Sequence, residues 1–137
     1  MGKSSLFIRK KEYVLNEVTL NLSIVRQGED QYLQFDIFAD CNDLKTAGFA
    51  INCMSIEGLQ STKDIQGLIF KLGEDIEDYL NELSESVICE PGQVLELEHL
   101  LIKFGEIQND FINIEIEAKC NGDIPVKGHL TARVKEE

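Results

Sequence analysis

The chain has 137 residues, 43% of them hydrophobic, and a formal net charge of −12. That is the length of one ordinary domain, with enough apolar residues to pack a core, which argues against disorder. The charge argues against nucleic acid or an anionic membrane as partner, because phosphates would be repelled, and favours a basic protein, cations or simple solubility.

The apolar runs are only a few residues long, such as Gly67 to Phe70, so none can span a bilayer as a helix. Leu6-Phe7-Ile8 is too short for a secretory signal and is followed at once by Arg9-Lys10-Lys11. A cytoplasmic location is expected. Residues 1–5 are expected to be a disordered terminus, and residues 6–137 a single domain. Four cysteines, Cys41, Cys53, Cys89 and Cys120, show no C-x-x-C spacing. A disulfide framework would be unusual in a cytosolic chain, so Cys53 and Cys120, in phase with apolar strand residues, are expected as buried thiols.

In chain order, Leu6 to Leu15 holds a short strand. Glu17 to Gln27 alternates, with Val18, Leu20, Leu22 and Ile24 on one side. Gln31 to Asp40 alternates again, with Leu33, Phe35, Ile37 and Ala39 inward. Period-two patterning around Gly28-Glu29-Asp30 predicts a hairpin. Thr46 to Met54 is a third strand. Ser61 and Asp64 then form a helix-start signal. Ile65, Leu68, Ile69, Leu72, Ile76, Tyr79, Leu80 and Leu83 follow at helical spacing, predicting an amphipathic helix over about 61–84. Pro91-Gly92 predicts a turn. Val94 to Phe104 begins as an alternating strand whose phase slips at His99-Leu100-Leu101, which predicts a bulge or burial on both sides. Asp110 to Cys120 and Val126 to Val134 alternate on either side of Asn121-Gly122-Asp123. Their outward Glu115, Glu117, Lys127 and Arg133 are expected to pair across the strands. Strands, one helix, then strands predict an α+β fold: a curved, mainly antiparallel sheet of about six to seven strands with the helix packed on one face.

Catalytic patterns are missing. There is no glycine-rich phosphate loop, no dinucleotide fingerprint and no nucleophile elbow. His99 and His129 read as strand histidines rather than bases. Glu96/Glu98 and Glu115/Glu117 share strand faces and read as solvated positions rather than an acid–base pair. No enzyme activity, metal or cofactor is expected.

Charge is the remaining signal. From Leu72 to Glu98 there are nine carboxylates and no Lys or Arg. Glu74, Glu77, Asp78, Glu82 and Glu85 would share the polar face of the expected helix, with Phe70 on its flank. That face is the candidate partner-binding surface, steering a basic protein by long-range attraction. Tyr32 and Phe38, on expected polar faces, are further candidate anchors.

In overall order the chain resembles the small acidic immunity proteins of bacterial toxin–immunity systems. The shared features are amphipathic strands, a helix over Asp64 to Leu83, a turn at Gly92, a Leu95-Glu96-Leu97 strand and two closing strands. The resemblance implies a non-enzymatic inhibitor that binds a basic toxin domain, its acidic surface standing in for nucleic acid phosphates. Two other readings stand beside it. One is a small-molecule carrier or enzyme with a cavity between sheet and helix into which His99 or His129 points. The other is an adaptor or homodimer subunit joined through sheet edges.

Overall fold

A computed structural model describes residues 4–39, 47–72 and 86–136. Strands make up 77% of these residues, and none of them lies in an α-helix. The elements are β1 (Ser4–Ile8), β2 (Lys11–Leu15), β3 (Val18–Gln27), β4 (Asp30–Ala39) and β5 (Gly48–Glu57), a 3₁₀ turn at Thr62–Ile65, then β6 (Ile69–Leu72), β7 (Val87–Glu90), β8 (Gln93–Gln108), β9 (Phe111–Cys120) and β10 (Ile124–Glu136). Ser4 and Ser5, expected in a disordered terminus, open β1 instead.

Seven strands pair in a ring, in the order β10, β3, β4, β5, β7, β8, β9 and back to β10, closing a barrel. A ring of strictly alternating directions needs an even number of strands, so a ring of seven must contain a parallel pair. That pair is β3 with β10, where Val18 lies opposite Ala132 and Leu22 opposite Glu136. The two longest strands each outrun a single neighbour. One edge of β10 carries β1 over Val126 to His129 and then β3 over Ala132 to Glu136. One edge of β8 carries β7 over Gln93 to Glu96 and then β6 over Leu100 to Lys103. β2 extends the sheet beyond β1.

The alternation read from the sequence is what fills the barrel. Val18, Leu20 and Leu22 of β3, Leu33, Phe35, Ile37 and Ala39 of β4, Ile112, Ile114 and Ile116 of β9, and Val126, Leu130 and Ala132 of β10 are all buried in one cluster. Phe35 sits within it, edge-to-face against Phe70 at 5.1 Å and against Phe104 at 5.4 Å. Such pairs add about 0.5–1.5 kcal/mol each beyond the area they bury. A barrel of about eight strands is just wide enough for its own side chains to fill. One of seven packed with phenylalanine, leucine and isoleucine is filled by them.

The phase slip in β8 is two bulges. Register moves by one residue between Leu97 and His99 and again between Phe104 and Ile107. Inward positions therefore change from Leu95 and Leu97 to Leu100, Ile102 and Phe104, and then to half-buried Ile107. Each bulge adds local twist, which lets a 16-residue strand wrap the barrel.

The α+β expectation is overturned by this all-β architecture. The start signal at Ser61 is real: Asp64 Oδ2 accepts from the Ser61 amide at 3.1 Å, and Ser61 Oγ accepts from the Lys63 amide at 3.2 Å. It opens only the 3₁₀ turn. Gln66 is already extended, with ψ 130, and Gly67 follows at φ +76, a left-handed conformation that an α-helix cannot contain. The Gly67 amide then donates to Phe104 O at 3.0 Å, and the Phe104 amide donates to Leu68 O at 2.9 Å, recruiting the following residues into the sheet. Ile69 to Leu72 thus pair with β8 as β6. Cross-strand hydrogen bonding outweighs an apolar spacing that two glycines had already weakened. The expected helix residues after Leu72 lie outside the described residues.

Candidate interaction surface

Of the six positions expected on a partner-binding face, Glu74, Glu77, Asp78, Glu82 and Glu85 lie outside the described residues. Phe70 is described, and it is not an exposed anchor. It is half-buried in β6, opposite Ile102, with its ring against Phe35. The other two aromatic candidates divide. Phe38 is 41% exposed on the outer face of β4. Tyr32 is half-buried and lines a shallow groove between the β3–β4 turn and residues 57–60.

The described residues on either side of the acidic stretch are anchored close together. Leu72 lies opposite Leu100, and Val87 lies opposite Glu96, both on the same edge of β8. At about 3.3 Å per residue the two anchor points are roughly 13 Å apart. Exposed Glu96 stands at one of these points on β8 and exposed Glu98 between them. The sequence from 73 to 85, outside the described residues, carries six carboxylates and no Lys or Arg, half of the net charge.

Glu90 is the exception in the acidic run. Its side chain is 12% exposed and ion-paired with Arg9, and Gln93 donates a second hydrogen bond to it. The Arg9 guanidinium holds the Glu90 carboxyl below the usual carboxylate range, with Gln93 assisting, against the opposing effect of burial. Arg9 and Lys10 form the two-residue β1–β2 turn with φ 52 and 70, and the Arg9 amide donates to Pro125 O at 3.2 Å. One arginine therefore ties the β1–β2 turn to the β7–β8 turn and the start of β10. No local pattern links residues 81 apart in sequence, so reading the chain could not reveal this pair.

The cysteines separate as well. Cys120 is a buried free thiol, as its strand phase implied. Burial, with the Glu98 carboxylate adding to it, pushes that thiol up to about 11. Cys89 is disulfide-bonded, which corrects the expectation that this chain keeps its cysteines reduced. Spacing along the chain cannot report which cysteines a barrel brings together. Cys41 and the Cys53 side chain lie outside the described residues.

Both histidines stand exposed on the outer face of the barrel, in different rows. His99 lies opposite Lys119. His129 lies opposite Glu115, with Nδ1 3.6 Å from Oε1, and meets the Phe7 ring edge-on at 6.2 Å. Neither points into a cavity between layers. The cross-strand pairing expected for β9 and β10 is half realised. Lys127 lies opposite Glu117, while Arg133 sits over the Phe111 ring at 6.0 Å. Lys119 pairs with Asp123, in the turn between β9 and β10, at 2.7 Å.

No protein family, curated protein or solved structure matches the chain. Among the described residues, no group of three or more His, Cys, Asp or Glu side chains is placed to hold a metal ion. No helix among them is long and apolar enough to cross a membrane.

Proposed function

We propose that this chain is a non-enzymatic protein-binding module, an inhibitor of the immunity type, that engages a basic domain through the acidic stretch rooted on β8. One observation carries the reading: half of the net charge is concentrated between Leu72 and Ser86. Both anchors of that stretch sit on one edge of β8, beside the exposed Glu96 and Glu98. Concentrated like charge raises the local potential and steers an oppositely charged partner from a distance. The proposal rests on this charge and not on the order of elements, since the helix in that order is not formed over 61–72.

The competing carrier reading needs an internal cavity. The barrel interior is occupied by a continuous cluster of buried apolar side chains, and the histidines face outward, so the geometry favours the surface reading.

The test is a neutralised variant carrying Glu74→Gln, Glu77→Gln, Asp78→Asn and Glu82→Gln. A partner is recovered by co-purification from the native host, and its association with both forms is then measured at several salt concentrations. Association with the parent chain should slow steeply as salt rises, and the variant should associate at least tenfold more slowly at low salt. Equal rates for the two forms would remove the acidic stretch from the interface. Recovery of a small molecule in place of a basic protein would overturn the reading.

A further inference from the structure

The turn Asn121-Gly122-Asp123 joins β9, which ends at Cys120, to β10, which begins at Ile124. Asn121 is the one asparagine of the chain that precedes a glycine. The main chain around it is well held. Cys120 lies opposite Leu97 on β8 and opposite Ile124 on β10, and the Asn121 amide donates to Glu96 O at 2.9 Å.

The groups just beyond that bond are free. Among the described residues, nothing hydrogen-bonds the exposed Asn121 side chain or the Gly122 amide. Gly122, at φ +87, has nothing within 4 Å of the place a Cβ would take, so its amide nitrogen can be approached without a steric barrier. The strand asparagines are placed differently. Asn21 and Asn113 sit inside β3 and β9, paired on both edges, with Leu22 and Ile114 next in the chain. Asn113 Oδ1 also accepts from the Thr131 hydroxyl at 3.2 Å.

We propose that Asn121 is a site of spontaneous deamidation in the folded chain, with the Gly122 amide nitrogen as the nucleophile. That nitrogen gives its proton to solvent base and attacks Asn121 Cγ. A C–N bond forms, and Nδ2 leaves as ammonia. Water then opens the succinimide ring. Attack at Cγ leaves aspartate at position 121. Attack at the main-chain carbonyl carbon leaves isoaspartate, with the chain running through the side-chain carbon. Both products add a negative charge beside Glu96, and the isoaspartyl form also lengthens the main chain of the turn.

The test incubates the full chain, folded, at mildly alkaline pH beside a sample in concentrated urea. Peptide mapping by mass spectrometry reads loss of the amide, and methylation by an isoaspartyl methyltransferase reads the rearranged product. Asn121 should convert in the folded chain at no less than about a tenth of its rate in urea, because a turn reacts without global unfolding. Asn121→Gln should abolish the methyl-accepting product and the acidic shift on ion exchange. The parent chain alone decides the matter even where that variant folds poorly. An Asn121 that stays intact in the folded chain while the urea sample converts would overturn the proposal. So would conversion led by another asparagine. Loss of the amide with no isoaspartyl product would also overturn it, since that would be direct hydrolysis without Gly122.

Discussion

The Glu90 carboxylate gains stability from Arg9 only while it is charged. Its folded-state pKa is held below the ordinary value of 4.5, so its contribution is present above the unfolded value and is lost as pH falls through the lower folded one. Replacing Glu90 with Gln should therefore cost about 1 kcal/mol near neutral pH, since Arg9 is half exposed and solvent screens the pair. The difference between parent and variant should shrink as pH drops below that window, which thermal melts across pH would read. Constant separation of the two curves down to the acid limb would mean that the pair adds nothing through its charge. Single residues were legible in the sequence where a period governed them: the inward side chains of β3, β4, β9 and β10 are those that the alternation named. Glu90, counted among unrelieved carboxylates, was not legible, because its cation comes from a turn at the other end of the chain.

Two elements show where pattern reading succeeds and fails. In β8 the shift in apolar phase at His99-Leu100-Leu101 pointed to a bulge or to burial on both sides, and the register places a bulge between Leu97 and His99. The second bulge carries Gly105, where a Cβ would stand 3.0 Å from the Asn113 carbonyl oxygen. Backbone rather than a flexible side chain is the obstacle, so Gly105→Ala should destabilise the barrel by about 1–3 kcal/mol, seen as a lower urea midpoint with an unchanged slope. The control Gly128→Ala meets only ordinary contacts of 3.5–3.6 Å and should cost less. Ile65 to Leu72 teaches the opposite lesson. A helical spacing of apolar residues and a sound cap both pointed to a helix. The left-handed Gly67 and the open edge of β8 made a strand instead. Short apolar runs fit either period, and the partner strand decides between them.

The barrel as a whole is held unevenly. β8 and β9 pair along almost their full lengths, as do β9 and β10, whereas β5 meets β7 only through Gly48–Cys89, Phe49–Ile88 and Ala50–Val87. This is the narrowest seam of the ring, and the disulfide-bonded Cys89 lies in it. Hydrogen exchange should show β7 amides opening at lower free energy than those of β9, and reduction of the disulfide should speed exchange in β7 while leaving β9 unchanged. Equal protection of the two strands would show that the seam does not open separately. Neither ring closure nor the parallel pairing of β3 with β10 could be read from alternation, which reports a strand's two faces and is silent about its neighbours.

The parallel pairing of β3 with β10 also fixes an order of events during synthesis. Val18 waits for Ala132, and Ser5 for His129, so β3 and β1 each gain a neighbour only when the distant β10 has been made. Until β10 emerges from the ribosome, β1, β3 and β9 each lack the neighbour that β10 provides. Contacts so distant in sequence slow folding, and the nascent chain is exposed to aggregation for as long as they are unmade.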